Sequence, residues 1–343
     1  MILGLIDDPI FQEHDPGRFH CESPSRLLAI HQELLGWPGL SGCQRLPLRL
    51  ASEEEILRVH QPAHLHRIAL TKGKCLALDA DTGTSPRSFD VAMVAAGSLV
   101  DMCDRALAGD IYQGVSLIRP PGHHATGNRA MGFCLFNNVA VAAAHLLQAR
   151  DLERVLIVDW DVHHGNGTED IFFQSDQVLY FSTHQWPLYP GTGPCQTVGR
   201  GTGSGYTVNV PLAAGQGDLD YIRVFEDLLV PVARAYKPQF ILISAGFDPH
   251  QEDPLGGMQV TDAGFAALAQ ICRDLAAELC PGRLVLTLEG GYAVEAQARA
   301  MREVMEVLVG GDQNELRARA QGHPQPKGLV QALEVAGEHW SLN

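Results

Sequence analysis

A short apolar run that ends abruptly in glycine, proline and polar residues recurs five times along this chain. Apolar runs without polar alternation are typical of strands buried on both faces, and such strands occur in parallel sheets covered by helices. Neighbouring parallel strands need long crossover connections, which are usually helical, so the pattern predicts an α/β fold. The runs span residues 115–118, 155–158, 178–181, 240–243 and 284–288.

Helices are predicted between these runs. Asp90 is a candidate N-cap, and Gly109 lies just past the end of the first predicted helix. The sequence has no internal repeat, low-complexity linker or long charge block that would mark a domain boundary. We therefore expect residues 1–343 to form a single three-layer α/β/α domain with a central, mainly parallel sheet. The predicted helices span residues 91–107, 138–149, 218–235, 262–279 and 292–309.

The composition favours a globular enzyme, with 45% hydrophobic and 19% charged residues. A formal net charge of −15 repels phosphate backbones, which argues against direct binding of nucleic acid, and it attracts cationic substrates. The eight cysteines show no C-x-x-C pairing, and no apolar run approaches the ~20 residues that cross a bilayer. We expect a soluble, cytoplasmic protein without a membrane partner. The sequence leaves open whether the chain forms a homo-oligomer.

Carboxylates and imidazoles are concentrated in the polar clusters that follow the runs. Asp159, Asp161 and His163 alternate along the chain, so their side chains would point to one side if the strand continued through them. Asp248 follows another run and can supply a further ligand. Two aspartates and a histidine form a three-ligand set with one open position, which is typical of a catalytic zinc site.

These clusters resemble the zinc-dependent histone deacetylase and acetylpolyamine amidohydrolase family, over about residues 14–310. Asn166 and Gly246-Phe247 are similar to the class II branch and its bacterial relatives. The resemblance implies an arginase/deacetylase-like fold and removal of acetyl or acyl groups from N-acyl-lysine side chains. The motifs that carry it are Pro120-Pro-Gly-His-His124, Gly132-Phe-Cys134, Asp159-Trp-Asp-Val-His-His-Gly-Asn-Gly167, Tyr189-Pro-Gly-Thr-Gly193, Gly246-Phe-Asp248, Asp253-Pro-Leu-Gly256 and Glu289-Gly-Gly-Tyr292.

Catalytic roles follow from the same resemblance. His124 would be the general base and later the general acid, and His123 would be its electrostatic partner. Asp159 would orient His123, and Asn166 would orient His124. Tyr292 would donate a hydrogen bond to the acyl oxygen, where negative charge develops.

Two cation sites are implied by the resemblance. One zinc ion per chain would be held by Asp161, His163 and Asp248, although iron or cobalt could serve in the cell. A potassium ion would lie nearby, bound by the side chains of Asp159 and Ser182 and by the backbone carbonyls of Asp161, His163 and Thr183.

The resemblance also implies a narrow substrate channel. Phe133 and Tyr189 would form its walls around an aliphatic stem, with Leu255 near the mouth. Arg26 matches an arginine beneath the active site of the family, and we group it with the channel residues.

Other functions compete with this interpretation. The arginase group shares the kind of sheet but binds two manganese ions through D-x-H-x-D and D-x-D patterns, whereas this chain has Gly165 and His250 at the corresponding positions. A catalytically inactive metal-binding regulator would have no need of Tyr292 or of the His123-His124 pair. A single metal and an amide substrate are therefore favoured.

Two substrate classes are compatible with this chemistry, acyl-lysine and acetylpolyamine. A polyamine carries an additional cation, so a selective enzyme is expected to place an acid where this chain has Leu255. This favours an acyl-lysine protein or peptide, with acetylpolyamine as the alternative. An acid from the N-terminal segment, such as Glu13, Asp15 or Glu22, could still supply the missing charge at the mouth.

His60 and His64 have the i, i+4 spacing of a helical metal pair. Pro62 lies between them and weakens a helix, and no carboxylate has a suitable spacing. We predict a structural role for both histidines.

Overall fold

The computed structural model describes residues 2–342, and its centre is an eight-stranded sheet in which all neighbouring strands are parallel. The order across the sheet is β2-β1-β5-β10-β9-β6-β7-β8, and β3 and β4 form a separate antiparallel hairpin. The strands are β1 Leu3–Asp7, β2 Cys43–Arg45, β3 Leu76–Ala77, β4 Gly83–Thr84, β5 Gln113–Leu117, β6 Val155–Asp159, β7 Val178–Gln185, β8 Thr207–Leu212, β9 Phe240–Ala245 and β10 Leu284–Leu288.

The predicted α/β class and parallel sheet are confirmed. All five apolar runs are strands, and β5, β6, β9 and β10 are buried along their whole length, as continuous apolar runs predict. Three further strands of the large sheet, β1, β2 and β8, were not predicted.

Helices connect the strands and cover the sheet. The helices predicted at 138–149 and 262–279 have these bounds, and that predicted at 292–309 spans residues 294–308. The helices are α1 Ser25–Leu35, α2 Glu53–Leu57, α3 Pro62–Ala69, α4 Ser88–Ala108, α5 Asn138–Ala149, α6 Asn166–Phe172, α7 Asp218–Val224, α8 Val230–Tyr236, α9 Asp262–Leu279, α10 Val294–Leu308, α11 Asn314–Gln321 and α12 Lys327–Gly337.

The continuous helix predicted over 218–235 is wrong in its middle. A π-helical turn at Phe225–Leu229 separates α7 from α8, and the Val230 N–H donates to the Phe225 carbonyl five residues earlier. Pro231 follows directly. Because proline has no N–H and its ring crowds the carbonyl four residues before it, a widened turn is a physical solution at this point.

The predicted N-cap of α4 is also wrong, since the helix begins at Ser88. Asp90 lies in the first turn of the helix, where the helix dipole stabilises its negative charge, and its carboxylate pairs with Lys72 and Arg87. The prediction for Gly109 is correct, because this residue ends α4 with a left-handed φ of 82°.

Four central strands place the polar clusters together. β5, β10, β9 and β6 are neighbours in this order, and parallel strands deliver the loops after their carboxyl ends to one edge of the sheet. These loops hold residues 119–124, 289–292, 246–248 and 160–166.

Within residues 2–342, no helix combines the length and the apolar character needed to span a membrane.

His60 and His64 have structural contacts. The His60 ring bridges two backbone groups: Nδ1 is 3.0 Å from the Thr126 carbonyl oxygen, and Nε2 accepts the Asn137 N–H at 2.9 Å. His64 Nε2 lies 2.9 Å from the Leu135 carbonyl oxygen, and the two rings stack with centroids 4.8 Å apart. The pair therefore anchors the loop between β5 and α5.

The His60 contacts require a neutral ring, because a second N–H would face the Asn137 N–H. Burial, and then the neighbouring His64, lower the pKa of His60 to about 3. The unfolded chain binds this proton below pH ~6.5, whereas the folded chain does not. The contribution of His60 to stability is complete above pH ~6.5 and is lost as the pH falls toward 3.

We expect His60→Gln to flatten the pH dependence of the free energy of unfolding between pH 6.5 and 4.5, by on the order of 2 kcal/mol. Glutamine preserves one donor and one acceptor but does not titrate. Urea unfolding across this pH range measures the difference. His66→Gln, at an exposed position on the following helix α3, is the matched control. Parallel pH profiles for His60→Gln and wild type would contradict the assignment.

Candidate active site

Asp161, His163 and Asp248 converge at the carboxyl edge of the sheet. One ligand atom from each lies within 4.8 Å of the others, and no further group of three such residues was found in the part of the chain that the structure describes. His163 Nδ1 is 3.1 Å from Asp161 Oδ1 and 3.1 Å from Asp248 Oδ2. All three side chains are buried. The predicted ligands are thus brought together.

Backbone amides fix the two carboxylates. Asp161 Oδ2 accepts the Gly290 N–H at 2.8 Å, and Asp248 Oδ1 accepts the Val162 N–H at 2.8 Å. A Cβ atom at position 290 would collide with both carboxylates, so glycine is required for this close approach. Each aspartate retains one oxygen that faces His163.

The electrostatics of the three residues suit a cation. Burial disfavours protonation of His163, but the carboxylates of Asp161 and Asp248 outweigh this effect and raise its pKa to about 10. Positive charge is therefore stabilised where the three ligand atoms meet. A divalent metal supplies such charge, and one imidazole with two carboxylates is a donor set that zinc accepts.

The strand does not continue through Asp161 and His163, so the condition for the strand-like alternation of these side chains is not met. β6 ends at Asp159, whose Oδ1 accepts the Asp161 N–H at 3.2 Å, and Asp161 Oδ1 accepts the His163 N–H at 2.9 Å. Two successive Asx turns curl the backbone in this way. Asp159 Oδ2 lies instead 3.0 Å from His123 Nδ1 and accepts the Tyr180 hydroxyl at 3.1 Å.

The environments of His123 and His124 drive their pKa values apart. Burial opposes protonation of His123, but Asp161 and Asp159 outweigh it and raise its pKa to about 10. Burial, and then the positive charges of His123 and His163, hold the pKa of His124 well below its ordinary value. His124 Nδ1 is 2.8 Å from Asn166 Oδ1. A neutral His124 that donates to Asn166 has a free Nε2 lone pair, which suits a base.

Tyr292 follows two glycines and lines the same cavity as His124. Burial raises the pKa of its hydroxyl, which therefore acts as a hydrogen-bond donor. Arg26 lies behind the loop: its guanidinium carbon is 5.1 Å from the Tyr292 ring centroid, and Nε donates to the Gly291 carbonyl at 2.7 Å.

A cavity of about 270 Å³ opens above these groups. Four rings shape it in two pairs: the ring centroids of His124 and Tyr189 are 5.1 Å apart, and those of Phe133 and Tyr292 are 5.8 Å apart. The prediction that Arg26 belongs with the channel residues is wrong, because Arg26 is buried beneath the Tyr292 loop and does not line the cavity. The lining residues are Asp81, His124, Gly132, Phe133, His163, Leu188, Tyr189, Leu255 and Tyr292.

None of the three acids considered for the mouth lines the cavity. Glu13 pairs with Arg87, Asp15 accepts the Gly17 N–H, and Glu22 is buried between Arg26 and Arg119. Asp81 lines the cavity instead, and sequence reasoning missed it. It lies in the loop of the β3–β4 hairpin, whose two-residue strands have no periodicity that would indicate their position.

Positions 165 and 250 do not supply a second metal site. A Cβ atom at Gly165 would collide with Asp159 Oδ2 and the Tyr180 hydroxyl. His250 Nε2 is engaged by Asp262 Oδ1 at 3.0 Å. Both observations favour a single-metal arrangement over that of the arginase group.

Three of the residues considered for a potassium ion, Asp159, Ser182 and Thr183, lie on neighbouring strands, and Asp161 and His163 follow β6. Asp159 on β6 lies opposite Ser182 on β7, and Ser182 Oγ is 3.0 Å from His184 Nδ1. Thr183 is buried next to them.

This chain is similar in sequence to known deacetylases. A family model described as a histone deacetylase domain matches residues 20–308. A probable deacetylase of Archaeoglobus fulgidus is 40% identical over 298 residues, which cover 86% of this chain and 82% of that protein. Polyamine deacetylase HDAC10 of Homo sapiens is 41% identical over 303 residues, which cover 84% of this chain and 44% of the human protein.

A plant relative is similar in sequence, and a solved domain is similar in fold. Histone deacetylase 15 of Arabidopsis thaliana is 41% identical over 325 residues, which cover 92% of this chain and 57% of the plant protein. The crystal structure of the HDA15 HD domain has a TM-score of 0.89 and 36% identity, covering 98% of this chain and 95% of the other. This chain therefore belongs to the histone deacetylase family of metal-dependent deacetylases.

Proposed function

We propose that this enzyme hydrolyses the amide bond of N-acyl-lysine side chains with one zinc ion held by Asp161, His163 and Asp248. The observation that carries the proposal is the convergence of this triad with His124 and Tyr292 at the inner end of one aromatic-walled cavity. A zinc ion would supply a Lewis acid for the acyl oxygen and make a bound water more acidic near neutral pH.

The acid–base work falls to His124. Its Nε2 lone pair accepts a proton from the attacking water, and the resulting imidazolium then protonates the leaving amine. Asn166 orients the ring through Nδ1. An amide is a weaker acceptor for the imidazolium than a carboxylate, so His124 releases its proton to the amine more readily.

His123 remains protonated beside Asp159 and contributes positive charge next to the reacting groups. Tyr292 donates its hydroxyl proton in a hydrogen bond to the acyl oxygen as that oxygen gains negative charge. A preorganised donor of this kind needs no reorganisation at the moment of reaction.

The walls of the cavity suit an aliphatic stem. Phe133 and Tyr189 offer apolar faces, and Leu255, 37% exposed, stands at the entrance. Asp81 can accept hydrogen bonds from the backbone N–H groups of a bound peptide. Leucine at position 255 favours acyl-lysine, and acetylpolyamine is the second candidate substrate because Asp81 adds one negative charge near the cavity.

A potassium ion beside the zinc is a further part of the proposal. Asp159 and Ser182 are register partners on the neighbouring strands β6 and β7, and the carbonyls of Asp161, His163 and Thr183 belong to the adjoining segments. A cytoplasmic location is proposed from the eight cysteines, all of which have free thiols.

We expect Asp248→Asn to bind less than about a tenth of the metal of wild type and to lose at least ~10³-fold in activity, since the amide replaces one of two charged ligands. Metal analysis and turnover of a fluorogenic acetyl-lysine peptide measure both effects. Asp110→Asn, at an exposed position, is the control. A zinc-loaded wild-type protein without turnover of any acyl-lysine or acetylpolyamine would overturn the proposed function.

For Tyr292→Phe, kcat should fall by about 10²-fold to 10³-fold, because one preorganised donor to the oxyanion is lost. The metal content and the KM for the peptide should change little, since the ring still fills the wall. Steady-state kinetics with metal analysis separate these quantities. Retention of wild-type kcat would exclude the proposed role of the hydroxyl.

Leu255→Glu should raise kcat/KM for acetylputrescine relative to an acetyl-lysine peptide by about 10-fold, because a carboxylate at the mouth attracts the free ammonium group. Leu255→Gln is the matched uncharged control and should leave the ratio near that of wild type. The gain should decrease at high salt. A wild-type enzyme that already prefers acetylputrescine would reverse the substrate assignment.

A further inference from the structure

Asp253 joins two loops, each of which contributes a residue to the cavity wall, Leu255 and Tyr292. Its Oδ1 accepts the Leu255 N–H at 2.9 Å, and its Oδ2 accepts the N–H groups of Tyr292 at 2.6 Å and Ala293 at 3.1 Å. The side chain is 7% exposed, and no lysine or arginine of the described chain forms a salt bridge with it. Its charge is therefore stabilised by backbone amides alone.

The Tyr292 loop is held at two points by carboxylates. At its start, the Gly290 N–H donates to the metal ligand Asp161 at 2.8 Å. At its end, the Tyr292 and Ala293 N–H groups donate to Asp253. Gly291 lies between them with a φ of 122°, which favours glycine, and its carbonyl accepts a hydrogen bond from Arg26 Nε at 2.7 Å. The second attachment thus fixes the backbone at Tyr292, while Arg26 and Phe133 contact the ring itself.

We infer that Asp253 is a positioning residue, which fixes the Tyr292 hydroxyl relative to the metal triad and simultaneously fixes Leu255 at the substrate entrance. The inference rests on the proposed function, because it acts through the oxyanion donor. Asp253 does not line the cavity, and its side-chain hydrogen bonds go to Leu255, Tyr292 and Ala293 and not to the metal ligands. It connects the residue that selects the substrate with the residue that stabilises the transition state.

A carboxylate is the group that can make both attachments. Oδ1 accepts a hydrogen bond from the Leu255 loop, and Oδ2 accepts two from the Tyr292 loop. An asparagine has a single acceptor oxygen, and its NH₂ group would face an N–H donor on the other side. Asp253→Asn must therefore release one of the two loops.

A double-mutant cycle distinguishes positioning from general structural support. We expect Asp253→Asn to lower kcat by at least 10-fold in wild type, since small misplacement of a catalytic group is costly. In the Tyr292→Phe background the same change should lower kcat less than about 3-fold, because the hydroxyl that Asp253 positions is already absent. The metal content should equal that of wild type in all four proteins.

Asp253→Ser is a second variant, which removes the carboxylate without introducing an opposing NH₂ group, and the same pattern is expected. Glu252→Gln, at the adjacent exposed position, should behave like wild type. Equal losses of kcat in both backgrounds, or a loss of metal, would overturn the inference while leaving the deacylase proposal intact. An inactive wild-type protein would overturn both.

Discussion

Buried negative charge without a lysine or arginine partner is the constraint on which this site depends. Within residues 2–342, the carboxylates at the edge of the sheet accept hydrogen bonds from backbone amides or lie against histidines. Backbone amides stabilise a carboxylate without cancelling its charge. The remaining charge raises the pKa of His123 and favours a cation among Asp161, His163 and Asp248. The carboxylates concerned are those of Asp159, Asp161, Asp248, Asp253 and Glu289.

The parallel sheet could be predicted because its central strands are buried on both faces and therefore lack polar alternation. The strands that escaped prediction lie toward the edges or are very short. β2 has three residues and is partly exposed, and β8 includes Asn209 and the edge proline Pro211. The break between α7 and α8 depends on how the helix accommodates Pro231, which apolar periodicity does not report.

Residues of the candidate site were predictable where they directly follow a strand, because a parallel sheet brings such positions together. The triad and the histidine pair satisfy this condition. Asp81 does not, since its place at the cavity depends on how a small hairpin packs against the domain. The curled path after β6 had a local signal, because Asp159 and Asp161 are spaced for successive Asx turns.

Gly165 also bears on how one metal chemistry could change into another during evolution. An aspartate at this position would not simply add a ligand, because its Cβ atom would enter the space of Asp159 Oδ2, close to His123 Nδ1. The contact that keeps His123 charged would be displaced before a second cation could bind. A two-metal descendant of this enzyme would need a rebuilt backbone between β6 and α6. A single substitution at position 165 would therefore not convert the one-metal site into a two-metal site.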